Sequence, residues 1–217
     1  MEKAVVIRCL FFDMGNVLVH FSHEQMFRQM ADVCSCSDEE IRKWLWDSGW
    51  QQKLETGQVT AEEVRDELSR QSGRSIELEA LLRAGADIFT LNEPLLPVLD
   101  ALKEAGYRMV VLSNTSVPHV EWIRRKWDVL RRFDTEVLSC EVGALKPDVA
   151  IYEAALAVAR CEPQECFFTD DIAENVEAAR DCGMRGEVFE GVEFLVNHLR
   201  ALGLRFKTGP LDFGESP

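Results

Sequence analysis

The stretch Val5-Val6-Ile7-Arg8-Cys9-Leu10-Phe11-Phe12-Asp13-Met14-Gly15-Asn16 decides the fold. A short apolar run rich in β-branched and aromatic residues, with no polar face, reads as a strand buried on both sides, which is how strands of a parallel sheet look. It ends abruptly in Asp13 and a turn-forming Gly15-Asn16 pair. In a parallel sheet the ligand crevice lies beyond the carboxyl ends of the strands, so Asp13 is placed where chemistry is done.

The same pattern recurs downstream. Met109 to Leu112, Thr135 to Leu138 and Cys166 to Phe168 read as further buried strands, and Glu187 to Phe189 as a fifth, weaker one. Helical patterns alternate with them over Leu95–Glu104, Asp148–Ala159, Asn175–Asp181 and Val192–Leu202, several closed by Gly106, Gly183 or Gly203. Alternating strands and helices give an α/β fold: a Rossmann-like parallel sheet with helices on both faces.

One interval breaks the alternation. From His23 to Phe89 only helical patterns are found, over His23–Val33, Asp38–Trp46, Ala61–Gln71 and Ile76–Ile88, with Ser37 and Thr60 as N-caps and Thr60 with Glu63 as a capping box. The expected organisation is a core of residues 1–18 and 92–207, an all-helical cap subdomain at 19–91, and a loose tail at 208–217. Trp44, Trp46 and Trp50 are read chiefly as packing within the helical unit, with Glu55 of the Glu55-Thr56-Gly57 turn as a residue able to face the crevice.

A formal charge of −14 repels phosphodiester backbones and anionic lipid. The basic group Arg124, Arg125, Lys126, Arg131 and Arg132 is interleaved with Trp122, Ile123 and Trp127, as on an amphipathic helix with a solvated face. No apolar stretch approaches the ~20 residues of a membrane span. Seven cysteines at irregular spacing form no zinc pattern and are expected to be reduced. A cytoplasmic protein, monomer or homodimer, without nucleic-acid or membrane partners, is the expectation.

Four strand ends converge chemically: Asp13 after the first, Ser113-Asn114-Thr115 after the second, Lys146-Pro147 in the loop after the third, and Asp170-Asp171 after the fourth. Carboxylates meeting at one place call for a cation, and oxygen-only ligands on short loops suit Mg2+. A lysine beside a hydroxyl- and amide-rich loop makes an anion site. Metal and anion together indicate phosphate. Taken singly each residue has a plain structural reading as a cap, turn or surface charge; their order along the chain is what argues otherwise.

These four segments resemble the motifs of the haloacid dehalogenase superfamily: Phe11 to Leu18 the first, Val111 to Thr115 the second, Gly143 to Asp148 the third, and Phe168 to Asp171 followed by Asn175 the fourth. The likeness is strongest to a glucose-1-phosphate phosphatase-like branch and to the N-terminal phosphatase domain of soluble epoxide hydrolase, and the helical insert sits where the superfamily places a C1 cap. The resemblance implies a magnesium-dependent hydrolase of a small phosphomonoester, with a sugar phosphate among the candidate substrates, working through an aspartyl-phosphate. Asp13 would be nucleophile and metal ligand, the Gly15 carbonyl and Asp171 further ligands with Asp170 nearby, Ser113 and Asn114 the phosphoryl-holding pair, and Lys146 the charge-neutralising group.

Gly15 departs from the superfamily pattern, in which that position carries an aspartate that protonates the leaving oxygen, a role worth about 10²- to 10⁴-fold. The glucose-1-phosphate phosphatase-like branch shares the glycine. His20 and His23 are nearby candidates for a substitute acid. Two rival readings remain: a dehalogenase attacking carbon without metal, whose family usually places a tyrosine at this position, and a catalytically weak binding or regulatory protein.

Overall fold

The computed structural model describes residues 6–209. Its centre is a five-stranded parallel sheet built from β1 (Cys9–Phe12), β4 (Arg108–Ser113), β5 (Thr135–Leu138), β6 (Cys166–Asp170) and β7 (Arg185–Val188), in the order β5-β4-β1-β6-β7. Two short strands, β2 (Val19–Phe21) and β3 (Phe89–Leu91), pair antiparallel apart from it. The helices in chain order are α1 (His23–Cys34), α2 (Asp38–Ile41), α3 (Trp50–Glu55), α4 (Ala61–Ser72), α5 (Leu78–Ala86), α6 (Leu96–Glu104), α7 (Val117–Lys126), α8 (Ser139–Val142), α9 (Val149–Ala159), α10 (Ala173–Asp181) and α11 (Val192–Ala201).

The alternation of side chains along the central strands explains the layering. Leu10, Phe12, Met109, Val111 and Phe167 enter one apolar cluster, shared with α6, α7, α11 and the helical insert. Cys9, Phe11, Val110, Leu112 and Phe168 enter a second cluster on the opposite face, closed by Ile151, Tyr152 and Ala155 of α9 and Ala179 of α10. Strand side chains point alternately to opposite faces, so a run apolar at every position fits only a sheet covered on both sides. Burying each large ring fully is worth roughly 1.5–3 kcal/mol.

Several expectations are sharpened. The first strand begins at Cys9 rather than at Val5, which lies outside the described residues; Cys9 is the first position with a sheet partner on each side, Arg108 and Cys166. The fifth strand spans Arg185–Val188, two residues earlier than its apolar residues suggest. Ser37 and Thr60 both close capping boxes, with Glu40 and Glu63. Gly106, Gly183 and Gly203 all take positive φ just past helix ends. Most of the tail lies outside the described residues.

β1 and β4–β7 alone do not account for the neck of the insert. β2 and β3, three residues each, escaped the sequence reading because so short a strand shows no period. Between them all regular structure among the described residues is helical, including a wide π-turn at Arg42–Asp47. Buried Asn92 fastens the far end of the neck to the first loop: its side chain donates to the Val17 carbonyl at 2.8 Å and its N–H to that of Leu18 at 3.0 Å.

Candidate active site

Asp13 leaves the central strand where its backbone is still held, its N–H donating to the Thr169 carbonyl of β6 at 3.0 Å. The loop beyond is a tight turn in which the Met14 carbonyl receives the N–H groups of both Leu18 and Val19, while Asn16 donates to Val19. Asn16 adopts the left-handed conformation (φ 53°) that asparagine tolerates, which aims its side chain back across the sheet end. Its Nδ2 donates to Asp171 Oδ2 at 2.9 Å.

Lys146 comes from the loop after β5. Asn114 fixes that loop through both ends of its amide: Lys146 N–H donates to Asn114 Oδ1 at 2.7 Å, and Asn114 Nδ2 donates to the Lys146 carbonyl at 2.9 Å. The lysine side chain, 5% exposed, then runs inward. Its Nζ donates to Asp13 Oδ1 at 2.7 Å, Asp170 Oδ2 at 2.6 Å and the Leu112 carbonyl at 3.0 Å, so its three protons are all placed.

The acidic pair divides its labour. Asp170 is fully buried, and its oxygens are occupied by Lys146, by Asn175 Nδ2 at 3.1 Å to each, and by the Ile172 N–H at 2.8 Å. Asn175 is itself set by α10, whose first turn is anchored where Tyr152 Oη donates to the Asn175 carbonyl at 2.7 Å. Asp171 is half-buried and engages Asn16 through one oxygen only. Asp170 therefore holds the lysine, while Asp171 keeps an oxygen for a further partner.

The three carboxylates each offer an oxygen within 4.8 Å of the others. Two oxygens on opposite sides of a magnesium ion, at ~2.1 Å bonds, stand about 4.2 Å apart. The spacing thus suits one small divalent ion after a slight contraction, and an all-oxygen donor set is the one that ion prefers. Among the described residues no backbone hydrogen bond of the first loop ends on the Gly15 carbonyl, which remains available beside the cluster.

Electrostatics follow from this burial. Desolvation pushes the Asp13 carboxyl up to about 6, against the pull of Lys146 and with a further push from Asp170. Lys146 resists its own desolvation because two carboxylates surround it, and its pKa ends above the usual lysine value. Lys146 is thereby held as an ammonium between Asp13 and Asp170.

A cavity of about 50 Å³ opens beside these groups. Core residues Gly15, Ser113 and Asn114 line it from below and His23 and Glu55 from the insert. The structure corrects one expectation: His20 is exposed on β2 and is not among the cavity's lining residues. Trp44, Trp46 and Trp50 do not line it either, in keeping with their reading as packing residues. Trp46 instead packs against His23 and Phe27, with ring centroids 4.6 and 6.0 Å away. Asn114 lines the cavity as well, with its side-chain amide holding the lysine loop. Sequence reasoning missed His119, which lines the cavity from within α7, and Ser139, whose Oγ accepts the Thr115 N–H at 2.8 Å; His119 follows no strand, and Ser139, although the first residue after β5, belongs to none of the quoted motifs. Three of the five basic residues of α7 and its flank are paired with acids, Arg124 with Glu136, Lys126 with Asp87 and Arg132 with Asp100 and Asp128, while exposed Arg125 lies over the Trp122 ring. All seven cysteines are free thiols, and no helix of the described residues is long and apolar enough to cross a membrane.

Comparison with known proteins agrees with the geometry. Bifunctional epoxide hydrolase 2 of Rattus norvegicus is 23% identical over 98% of this chain, which spans only 42% of that protein's length. The D-ribitol-5-phosphate phosphatase of Bacteroides thetaiotaomicron is 26% identical over 82% of this chain and 89% of its own. A HAD family enzyme of the same bacterium, solved in complex with magnesium and inorganic phosphate, superposes with a TM-score of 0.78 at 25% identity, covering 87% of this chain and 98% of that one. The family model for haloacid dehalogenase-like hydrolases matches residues 7–183, and the chain belongs to that family.

Proposed function

We propose that this chain is a magnesium-dependent phosphatase of small phosphomonoesters, with Asp13 as the nucleophile that carries the phosphoryl group between two half-reactions. One observation carries the reading: a fully engaged, buried lysine bridges Asp13 and Asp170 while Asp171, bonded through only one of its oxygens, offers a carboxylate oxygen within 4.8 Å of both. A structural salt bridge has no use for the third carboxylate. The metal-bound, phosphate-bound HAD relative supports the same assignment.

Lys146 holds Asp13 Oδ1, which leaves Oδ2, the oxygen nearest Gly15, to attack phosphorus in line with the departing oxygen. The Asp13–phosphorus bond forms as the bond to the leaving oxygen breaks, and water then attacks the same phosphorus and frees Asp13. Ser113 faces the phosphoryl oxygens through its hydroxyl, and Asn114 through its main chain, since its amide is committed. Asp13, Asp171 and the Gly15 carbonyl would hold Mg2+, with Asp170 behind them. When bound, the ion offsets the clustered carboxylate charge and polarises the phosphoryl oxygens.

Residues 19–91 act as the cap over the cavity, and the likeness to the D-ribitol-5-phosphate phosphatase makes sugar and polyol phosphates the first substrates to test. Carbon-directed dehalogenation is the weaker reading, because it needs no acidic pair at the fourth strand. The test is a panel of phosphorylated metabolites with Mg2+, run on the wild type and on Asp13→Asn. Turnover that needs both the ion and Asp13 supports the proposal; hydrolysis persisting in excess chelator, or in Asp13→Asn, refutes it.

A further inference from the structure

Gly15 leaves the nucleophile loop without a proton donor, and the structure shows that the space is filled. A Cβ at Gly15 would stand 2.8 Å from Phe21 Cε1 and 3.8 Å from Asp13 Oδ2. The position from which an acid would reach the leaving oxygen is covered by a phenyl ring from β2, so a proton must come from another element.

Three residues with ionisable side chains line the cavity beside the phosphoryl loop: His23 of α1, His119 of α7 and Glu55 at the end of α3. His119 Nε2 lies 3.1 Å from the Gly85 carbonyl, and burial pushes its pKa down to about 4, which leaves a neutral ring with its proton engaged. His23 is packed among the rings of Phe21, Phe27 and Trp46, and burial lowers its pKa too. Glu55 differs in kind. Gln51, itself 5% exposed, donates from Nε2 to Glu55 Oε1 at 2.7 Å, which directs a carboxylic proton to the other oxygen.

The main chain holds this carboxyl against the core. Ser139 Oγ donates to the Glu55 carbonyl at 2.7 Å and accepts the Thr115 N–H, so a short relay of hydrogen bonds joins the cap turn to the Ser113–Thr115 loop. Two residues on, Gly57 (φ 66°) sits so close to the Cys140 carbonyl that any Cβ would overlap it. The turn is docked on α8.

We propose that Glu55, delivered by the helical insert, is the general acid and base that Gly15 cannot be. This deepens, and rests on, the phosphatase reading above. In the first half-reaction the bond from phosphorus to the leaving oxygen breaks, its electron pair stays on that oxygen, and the oxygen takes the Glu55 proton. In the second, the Glu55 carboxylate takes a proton from the water attacking phosphorus, which restores the acid. Burial raises the Glu55 pKa, against the Gln51 hydrogen bond, so the protonated form is populated closer to neutrality than in water. The other titratable groups facing it are His23, His119 and, from α8, Cys140.

The test compares kcat/KM for p-nitrophenyl phosphate, whose leaving group needs no proton, with an alkyl phosphate whose leaving group does. Glu55→Gln should lose about 100-fold or more on the alkyl ester, and at least tenfold less on the aryl ester; Glu55→Asp, with a shorter acid, should recover part of the alkyl rate. Circular dichroism on both variants separates misfolding from chemistry. Equal losses on both esters by folded Glu55→Gln, no loss on either, or a wild type that cleaves only the aryl ester overturns the proposal. Asp13→Asn is the separate control: if it retains turnover, the underlying phosphatase reading fails instead.

Discussion

Replacing Lys146 with methionine probes the site through stability alone, before any substrate is known. The side chain is 5% exposed and makes hydrogen bonds of 2.7, 2.6 and 3.0 Å to Asp13, Asp170 and the Leu112 carbonyl. Methionine keeps most of the stem's packing but removes the charge and all three donors. Breaking a buried ion pair by deleting one partner costs about 3–5 kcal/mol, because the partner's charge stays buried without compensation. Here two carboxylates are left, but Asp13 already has a raised pKa and relieves part of the cost by taking a proton, which keeps the expectation inside that range. A chain of this size has roughly 5–15 kcal/mol in total, so the loss is a large fraction of it. The assay is urea denaturation followed by circular dichroism at pH 7.5, first in chelator and then in Mg2+. The ion should stabilise Lys146→Met more than the wild type, since it replaces the missing positive charge; saturation at 100 times Kd is worth about 2.7 kcal/mol. A loss below about 1 kcal/mol in chelator, or a smaller magnesium effect on the variant than on the wild type, would refute the reasoning.

Three further outcomes follow from individual contacts. Gly15→Asp, which restores the superfamily's usual residue, should lower stability by about 1–3 kcal/mol through crowding against Phe21, and Gly15→Asp with Phe21→Ala should regain part of that in the same denaturation assay. Gly57→Ala should destabilise by more than the ~1 kcal/mol of its positive φ, because the obstructing atom is the Cys140 carbonyl rather than a side chain that can swing away; a thermal melt within 1 °C of the wild type would contradict this. The His119 pKa lies below its unfolded value of about 6.5, so the unfolded chain binds a proton that the folded chain refuses. The His119 contribution should therefore fall by about 1 kcal/mol as pH drops from 7.5 to 5.5, opposed by the raised Asp13 and Glu55 carboxyls, and the difference between wild type and His119→Gln across that window isolates it.

What the sequence revealed tracks how local the signal is. Asp13, Lys146, Asp170 and Asp171 were legible because each directly follows a buried strand or sits in the loop after one, and a parallel sheet brings such positions to one edge whatever the details of packing. The helical character of the insert was legible from its period and from the Ser37 and Thr60 caps. Roles that depend on where a side chain turns were not. The residue order did not show that the Asn114 amide would hold the Lys146 main chain from both ends. Nothing in the order of residues showed that Phe21 would lie over Gly15, since that contact is made by a three-residue strand pairing with another 70 positions on. Likewise Gln51 and Ser139 gain meaning only through Glu55, to which both are bonded from opposite sides.

The same geometry explains why Asp170 and Asp171, adjacent and identical in type, are unequal. A strand residue and its successor point to different surroundings. Asp170, the last residue of β6, meets Lys146 and Asn175 in the interior, whereas Asp171 turns toward Asn16 at the mouth. Asp170→Asn should accordingly act on the lysine and on stability, and Asp171→Asn on affinity for the ion.

Whether Asp13 itself becomes phosphorylated is the question on which the account turns. Borohydride reduction during turnover of p-nitrophenyl phosphate with Mg2+, followed by peptide mass spectrometry, answers it directly, because hydride converts an acyl phosphate to an alcohol and leaves a free carboxylate alone. Homoserine at position 13, formed only when substrate and metal are both present, is the predicted result. Turnover at an undiminished rate with Asp13 unmodified would contradict it.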